Sequence, residues 1–287
     1  MTAGSVDRRP VVWLDGELVD PAVASVHWSD HGLTVGDGVF ETVELRRGVG
    51  FALTRHLDRL DRSAVGLGLP APDRSLVVTA VEQVTQEWGD DNGRLRLTLT
   101  AGRGPMGSDR TGTTATLLVV ASDLVLQQDP TDVVVVPWTR NERGAVAGLK
   151  TTSYAENVVA LARAHERDAG EALFANTRGE LCEGTGSNVF IVLDGELLTP
   201  PLDSGCLAGV TRALLLEALE AEGWAASQRP VPISRLVDAD EAFLVSTTRH
   251  VQPIRAVDGV ALRSCPGPMT RRAASIWAER VRPHDDP

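Results

Sequence analysis

The chain of 287 residues contains a single lysine, Lys150. Of its 28 basic residues, the other 27 are all arginine. Both side chains serve equally well as solvated surface charges, but only a lysine amine can lose its proton and attack a carbonyl carbon. The single tyrosine, Tyr154, follows four residues later. The pair favours Lys150 as a nucleophile placed just before a helix, and the alternative is that a GC-rich coding bias spared this lysine by chance.

A second group of residues is suited to binding an anion. The segment Gly209-Val210-Thr211-Arg212 begins a predicted helix, and the N–H groups of a helix N-terminus, together with the Thr211 hydroxyl, suit a phosphate. The segment Ser246-Thr247-Thr248 ends a predicted strand and offers further hydroxyl donors. Arg59 would supply a countercharge. Each feature also has an ordinary explanation, as a hydrated helix start, a polar turn and a solvated helical arginine.

The segment from Leu181 to Phe190 places Glu183 before a glycine turn and a strand. It is not the G-x-G-x-x-G dinucleotide fingerprint, and no βαβ unit with a downstream acid accompanies it. The sequence also lacks a G-x-S-x-G elbow, a G-x-x-x-x-G-K-[ST] loop and an H-E-x-x-H zinc motif. His27 and His31 have i, i+4 spacing without a third ligand nearby, so no metal site is predicted.

Hydrophobic periodicity and turn residues predict the elements that must position these side chains. In the first part of the chain, Asp15-Gly16 is a predicted hairpin turn and Asp73 a predicted helix N-cap. The acidic side chains of Glu41 and Glu44 are expected to face solvent. The predicted strands lie at 11–14, 17–19, 38–45, 95–100 and 114–121, and the predicted helices around 57–67 and at 73–88.

After a polar stretch, strands and helices alternate more evenly. Strands are predicted at 133–136, 171–175, 188–193, 241–245 and 251–257, and helices at about 154–169, 210–222 and 270–280. Asp194-Gly195 and Asp258-Gly259 are predicted turns. We therefore predict an α+β protein of two domains: a smaller one at 1–121, a linker at 122–131, and a larger α/β-type domain at 132–287 that carries Lys150. A cleft between two such domains is the expected place for an active site.

Composition and charge restrict the class of protein. With 43% hydrophobic residues and a mean hydropathy near zero, the chain can bury a large core. Its net charge of −11 repels nucleic acid and anionic membranes, and no apolar stretch approaches the roughly 20 residues of a membrane helix. Asp7 and Asp15 lie where a signal peptide is apolar, and three scattered cysteines fit a reducing compartment. A cytoplasmic protein is expected, with neither nucleic acid nor membrane as a partner.

The ordered set of motifs resembles the class IV (fold type IV) pyridoxal-phosphate enzymes, which include branched-chain aminotransferases, D-amino acid transaminases and 4-amino-4-deoxychorismate lyases. The resemblance runs over nearly the whole chain, from Trp13-Leu14-Asp15-Gly16 through Asp30-His31-Gly32 and Gly36-Asp37-Gly38-Val39-Phe40-Glu41-Thr42 to the C-terminal strands. It implies the two-domain fold of the D-amino acid aminotransferases and pyridoxal 5'-phosphate (PLP) as the cofactor. It also implies a small amine or amino-acid substrate and a homodimer.

The same resemblance implies a role for each matching residue. Lys150 would bind the cofactor covalently and move the substrate proton, and Glu183 would keep the pyridine nitrogen protonated so that the ring accepts electrons. Tyr154 would hydrogen-bond the phenolic oxygen. The other cofactor residues implied are Arg59, Val210, Thr211, Thr247 and Thr248 at the phosphate, with Ser187 and Asn188 behind the residues in direct contact.

Within the family, the segment Phe40-Glu41-Thr42 resembles the lyases, because branched-chain aminotransferases usually have glycine where this chain has Thr42. D-amino acid transaminases bind the substrate carboxylate with an Arg-x-His pair, and Met106 and Ser108 align with that pair here. Arg103-Gly104 also resembles the lyase arrangement. The resemblance therefore favours a lyase that releases pyruvate and 4-aminobenzoate on the folate route. The substrate contacts implied are Thr42, Arg103 and His31.

Three alternatives stay open. A class IV aminotransferase, acting on branched-chain or other amino acids with 2-oxoglutarate, would share the first proton transfer. A cofactor-free Schiff-base aldolase would explain Lys150 but would leave Glu183 and the phosphate donors without a role. A non-catalytic binding protein of this fold would be expected to have lost Lys150, Tyr154 or Glu183, and this chain has lost none of them.

Overall fold

The computed structural model describes residues 8–287 of the chain. Their contacts divide them into two compact units. Residues 8–125, together with 149–154, form the first unit, and residues 126–148 and 155–285 form the second. Both units mix helices with strands, as the sequence predicts. No helix within residues 8–287 is long and apolar enough to cross a membrane.

The first unit contains a six-stranded antiparallel sheet in the order β2-β1-β6-β5-β3-β4. Asp73 accepts hydrogen bonds from the N–H groups of Ser75 and Leu76, which confirms it as an N-cap. The strands are β1 (Val11–Leu14), β2 (Glu17–Val19), β3 (Gly38–Arg46), β4 (Val49–Gly50), β5 (Gly93–Arg103) and β6 (Thr114–Ser122), and the helices are α1 (His31–Thr34), α2 (Leu53–Gly66) and α3 (Arg74–Trp88).

The two faces of this sheet carry different side chains, because successive residues of a strand point to opposite faces. The helices α2 and α3 pack on one face. The opposite face carries Phe40, Thr42, Arg96 and Thr98, with Phe40 opposite Thr98 and Thr42 opposite Arg96 in the register of β3 and β5. The buried core on the helix side includes Trp13, Val39, Val43, Leu57, Leu60, Val84, Leu95, Leu97 and Val119.

The expectation that Glu41 and Glu44 face solvent is wrong. Glu41 is fully buried and Glu44 is 4% exposed. The Glu41 carboxylate accepts hydrogen bonds of 2.7 Å from Nε and Nη2 of Arg59 and has a third 2.7 Å contact with Nδ1 of His56. Burial alone would raise the pKa of Glu41, but the Arg59 cation and these hydrogen bonds outweigh burial and hold that pKa well below its usual range. A buried carboxylate is tolerated here because its charge is paired.

The second unit is built on a nine-stranded mixed sheet in the order β12-β11-β10-β13-β14-β7-β8-β9, with β15 paired to β14. The pairs β11/β12, β14/β7 and β7/β8 are parallel. The strands are β7 (Thr131–Arg140), β8 (Glu171–Asn176), β9 (Leu181–Gly184), β10 (Asn188–Leu193), β11 (Glu196–Thr199), β12 (Ser227–Gln228), β13 (Glu241–Ser246), β14 (His250–Val257) and β15 (Val260–Ala261), and the helices are α4 (Ala155–His165), α5 (Val210–Ala221) and α6 (Pro268–Ile276).

Three hairpin turns confirm the Asp-Gly predictions. Asp15, Asp194 and Asp258 have φ values of 46°, 52° and 48°, and the glycine that follows each of them also has a positive φ. Two successive residues with positive φ form the turn whose twist matches that of the flanking strands. These turns join β1 to β2, β10 to β11 and β14 to β15.

The segment Leu149–Tyr154 makes its contacts with the first unit, although the sequence places Lys150 in the second domain. The N–H of Phe40 donates to the carbonyl of Lys150 at 3.0 Å, and the N–H of Thr152 donates to the carbonyl of Gly38 at 2.8 Å. These bonds attach the segment to β3. A division of the chain by sequence order alone cannot anticipate a segment that pairs with a strand about 110 residues earlier.

Candidate active site

The amine of Lys150 lies beside two aromatic rings. Its Nζ is 4.4 Å from the centre of the Phe40 ring and 6.0 Å from the centre of the Tyr154 ring. The two rings meet edge to face, with centres 5.0 Å apart. The structure therefore brings together two predicted site residues, Lys150 and Tyr154, around a ring to which the sequence assigned no role.

Arg96 is a candidate that the sequence analysis missed. Its guanidinium carbon lies 3.4 Å from the centre of the Phe40 ring, the same ring that the Lys150 amine contacts. Burial is the main reason that the pKa of Arg96 is lowered to about 10, so the side chain stays a cation at neutral pH. The signal was present in the sequence, because Leu95 and Leu97 point to the core and Arg96 between them must point to the other face, with Thr42.

One face of α2 connects the backbone of Lys150 to the Glu41 network. His56, Arg59 and Ser63 are buried at i, i+3 and i+7 spacing, and Ser63 Oγ accepts the N–H of Lys150 at 3.2 Å. Burial lowers the pKa of His56 and its contact with Glu41 opposes that effect, with the Lys150 cation lowering it slightly further. Arg59 is thus fixed in one orientation by a fully buried carboxylate.

The contacts of Arg103 and His31 involve residues other than Lys150. Arg103 is exposed at the end of β5 and lines a cavity of about 640 Å³ with Pro70, Asp73 and Thr116, and Lys150 is not among its lining residues. The His31 ring is fully buried, with Nε2 2.8 Å from the Pro105 carbonyl oxygen. The structure therefore gives His31 a contact that holds the loop after β5.

In the second unit, Glu183 lies on β9 with its carboxylate in a fixed position. Its Oε2 accepts the N–H of Leu207 at 2.9 Å, and its Oε1 lies 3.7 Å from Nε of Arg140. Nδ2 of Asn188 donates to the Leu207 carbonyl at 2.9 Å. Two predicted site residues, Glu183 and Asn188, therefore both bond the backbone of Leu207.

The helix α5 begins at Val210, where the sequence predicts a helix start that could bind an anion. The N-cap Gly209 has no side chain to bond the first N–H groups, and Thr211 is buried. A Cβ added to Gly209 would lie 2.0 Å from Oδ1 of Asn188, so the close approach requires glycine. Asn188 in turn pairs with Val245 at the end of β13. That register brings the β13–β14 turn, with Thr247 and Thr248, toward the start of α5.

Ser187 belongs to a buried network centred on Glu171. Its Oγ donates to Oε2 of Glu171 at 2.9 Å, and Oε1 accepts the N–H of Thr185 at 3.0 Å. Nη2 of Arg249 lies 3.3 Å from the same carboxylate, and burial lowers the pKa of Arg249. Glu171 therefore contacts both the turn after Glu183 and the residue that follows Thr248.

These residues fit PLP by their chemistry. An uncapped helix N-terminus with hydroxyl donors suits a phosphate, a carboxylate suits a protonated ring nitrogen, and a lysine amine suits the aldehyde. Within residues 8–287, no group of three or more His, Cys, Asp or Glu side chains could hold a metal ion.

Comparison with known proteins agrees. Residues 38–257 match the amino-transferase class IV family, and the chain belongs to that family. A bifunctional aminodeoxychorismate lyase / D-amino acid transaminase of Mycobacterium tuberculosis is 34% identical over 94% of this chain and 97% of its own.

Two solved structures share the fold over almost their whole length. A PLP-bound hypothetical aminotransferase from Mycobacterium tuberculosis has a TM-score of 0.85 and 30% identity over 95% of this chain and 98% of its own. The branched-chain aminotransferase of Thermoproteus uzoniensis with norvaline has a TM-score of 0.86 and 30% identity over 94% of each chain. The protein is a PLP-dependent enzyme of fold type IV.

Proposed function

We propose that this enzyme is a 4-amino-4-deoxychorismate lyase. The observation that carries the proposal is the register of Thr42 with Arg96 on the sheet face that also carries Phe40, since the Phe40 ring contacts the amine of Lys150. Elimination of an enolpyruvyl group needs a cation for the substrate carboxylate and a proton donor for the departing oxygen. Arg96 and Thr42 supply these two groups side by side.

Each chemical step falls to a residue of the chain. The Lys150 amine removes the proton from the amine-bearing carbon, and bound PLP supplies the electron sink for the pair left there. Glu183 binds the proton on the ring nitrogen. The bond from ring carbon to enolpyruvyl oxygen then breaks, the substrate ring becomes aromatic, and Thr42 donates a proton to the departing oxygen. Tautomerisation of the released enol gives pyruvate, and the other product is 4-aminobenzoate.

The cofactor would be bound by groups at two ends. The first N–H groups of α5, at Val210 and Thr211, would bind the phosphate with the hydroxyls of Thr247 and Thr248 and with Arg59. Tyr154 would hydrogen-bond the phenolic oxygen. Ser187 and Asn188 would act behind these groups by holding the turn after Glu183 and the backbone before α5.

Transamination of amino acids with 2-oxoglutarate is the second candidate. Arg96 favours it equally, because a desolvated cation binds the carboxylate of any amino acid, and one relative is named both as a lyase and as a D-amino acid transaminase. Met106 and Ser108, aligned with the Arg-x-His pair of the D-specific enzymes, argue against D-amino acids.

Product analysis distinguishes the two. Purified enzyme is offered aminodeoxychorismate, and separately L- and D-amino acids with 2-oxoglutarate. A lyase forms pyruvate and 4-aminobenzoate in equal amounts and faster than it transaminates. The Thr42→Val variant removes the hydroxyl at nearly constant volume, while Thr42→Ser keeps it as a control. If aminodeoxychorismate is left intact while an amino acid is turned over rapidly, the aminotransferase assignment replaces the lyase.

The proposal includes a cytoplasmic homodimer. Large apolar side chains, Trp28 and Leu33, are 67% and 69% exposed in the segment before β3, as expected of a surface that a second copy covers. Cys182, Cys206 and Cys265 form no disulfide, which suits a reducing compartment. Light scattering on wild-type protein and on Trp28→Glu tests the dimer, since the variant should dissociate.

A further inference from the structure

The guanidinium of Arg140, at the end of β7, is held by more contacts than is usual for a surface arginine. Its Nη2 donates to Oδ1 of Asn157 at 2.7 Å, its Nη1 pairs with Glu156, and its guanidinium carbon lies 4.1 Å from the centre of the Phe174 ring. The side chain is only 17% exposed. These contacts fix the plane of the guanidinium and with it the direction of the Nε–H.

The Nε atom of Arg140 lies close to the carboxylate of Glu183. This nitrogen is buried and has no hydrogen-bond partner within residues 8–287, and Oε1 of Glu183 lies 3.7 Å from it. The distance is too long for a hydrogen bond but within the range of an ion pair. A buried donor left without a partner costs free energy, so its place beside Glu183 calls for an explanation.

The neighbours of Arg140 also contact the turn that carries Glu183. Asn157 accepts from Arg140 with its oxygen and donates with its Nδ2 to the carbonyl of Thr185, two residues after Glu183. Phe174, under the guanidinium, is opposite Glu183 in the register of β8 and β9. Arg140 is therefore bound to Glu183 by charge and to its turn through one intervening side chain.

We propose that Arg140 is a positioning residue for the ring nitrogen of PLP. Its cation holds the Glu183 carboxylate in one orientation through Oε1, while the N–H of Leu207 fixes the other oxygen. Glu183 then meets the protonated ring nitrogen without rearranging. A lysine would keep the charge but not the planar stack on Phe174 or the paired donors, so arginine is required for full effect. The inference rests on the proposed role of Glu183.

Cofactor analogues test this inference without measuring turnover. After cofactor removal, the affinities for PLP and for 1-deaza-PLP, which has carbon in place of the ring nitrogen, are measured by titration. Arg140→Met is expected to weaken PLP binding about tenfold or more, as for loss of a charge-assisted contact, and to leave binding of the deaza analogue within about twofold. The PLP affinity of Arg140→Lys should lie between those of wild type and Arg140→Met. Glu183→Gln should show the same selectivity as Arg140→Met, and the double variant should lose little more.

Arg167→Met is the matched control, since Arg167 is 49% exposed in the same unit and contacts Asp258 rather than the site. It should bind both ligands like wild type. Equal losses of PLP and 1-deaza-PLP affinity in both Arg140 variants would overturn the inference, because a merely structural role does not sense one ring atom. Wild-type protein that binds neither ligand would refute the proposed cofactor site itself, and the inference with it.

Discussion

Replacing Arg96 by methionine removes the cation on the Phe40 ring while keeping an apolar side chain of similar length. Burial has already removed part of the hydration of this guanidinium and lowers the pKa of Arg96 to about 10. A charge-assisted pair with a substrate carboxylate at such a place contributes about 2–3 kcal/mol, which is about 30- to 150-fold in kcat/KM. We expect Arg96→Met to show that loss.

The assay is steady-state release of pyruvate from aminodeoxychorismate, with the absorption of bound PLP as a check that the cofactor site is intact. Arg94→Met is the matched control: Arg94 lies on the same face of β5, is exposed, and contacts Ser122 rather than Phe40. It should change kcat/KM by no more than about twofold, since exposed charges contribute little.

Arg103→Ala distinguishes two candidates for the cation that binds the substrate carboxylate. The family resemblance implies Arg103, and the structure favours Arg96. If Arg103 binds the carboxylate, as the resemblance implies, its removal costs the tens- to hundredfold that we assign to Arg96. The placement of Arg103 on a cavity that Lys150 does not line predicts a small effect instead. A large loss in Arg103→Ala combined with a near-normal Arg96→Met would refute our assignment.

Lys150→Arg should abolish turnover and the long-wavelength absorption of bound PLP without unfolding the protein, since arginine keeps the charge but cannot supply a neutral amine; measurable turnover by the purified variant would contradict this. Glu183→Gln should lower kcat at least about tenfold with the cofactor still bound, because an amide cannot hold the ring nitrogen protonated, and an unchanged kcat and spectrum would show that another residue faces the nitrogen. Glu41→Gln should cost about 3–5 kcal/mol of unfolding free energy, because it removes the carboxylate that the buried Arg59 contacts. Folding holds the pKa of Glu41 below its ordinary 4.5. The stabilisation is therefore present above pH 4.5 and is lost as the pH falls toward the lowered pKa. Urea melts across that pH range should show the loss in wild type and not in the variant.

Local signals predicted much of the fold. Alternation and the Asp-Gly turns gave β1, β2 and β10 with the bounds that the structure has, and Asp73 marked the start of α3. These features depend on residues close together in the chain. The strand β7 extends to Arg140. The sequence predicts its end at Val136, because Pro137 and the polar residues after it interrupt the apolar run.

The errors have a common cause in contacts between residues distant in sequence. Glu41 is an acid on a strand, and only the fold brings Arg59 and His56 of α2 against it. Lys150 could be singled out because its type is unique in the chain, whereas its attachment to β3 through Phe40 has no sequence signature. Arg96 differs, because the alternation of β5 already determines the face on which its side chain lies.

The Glu171 carboxylate links the turn at Thr185–Ser187 with the turn that contains Thr247, Thr248 and Arg249. Both turns lose a hydrogen-bond or ion-pair partner if that carboxylate leaves its pocket, since Arg249 and Ser187 share it. We therefore expect opening of one turn to weaken the other, so that a change which speeds deuterium exchange of the backbone amides at one turn speeds it at both. A ligand that binds at either turn alone would slow that exchange at both.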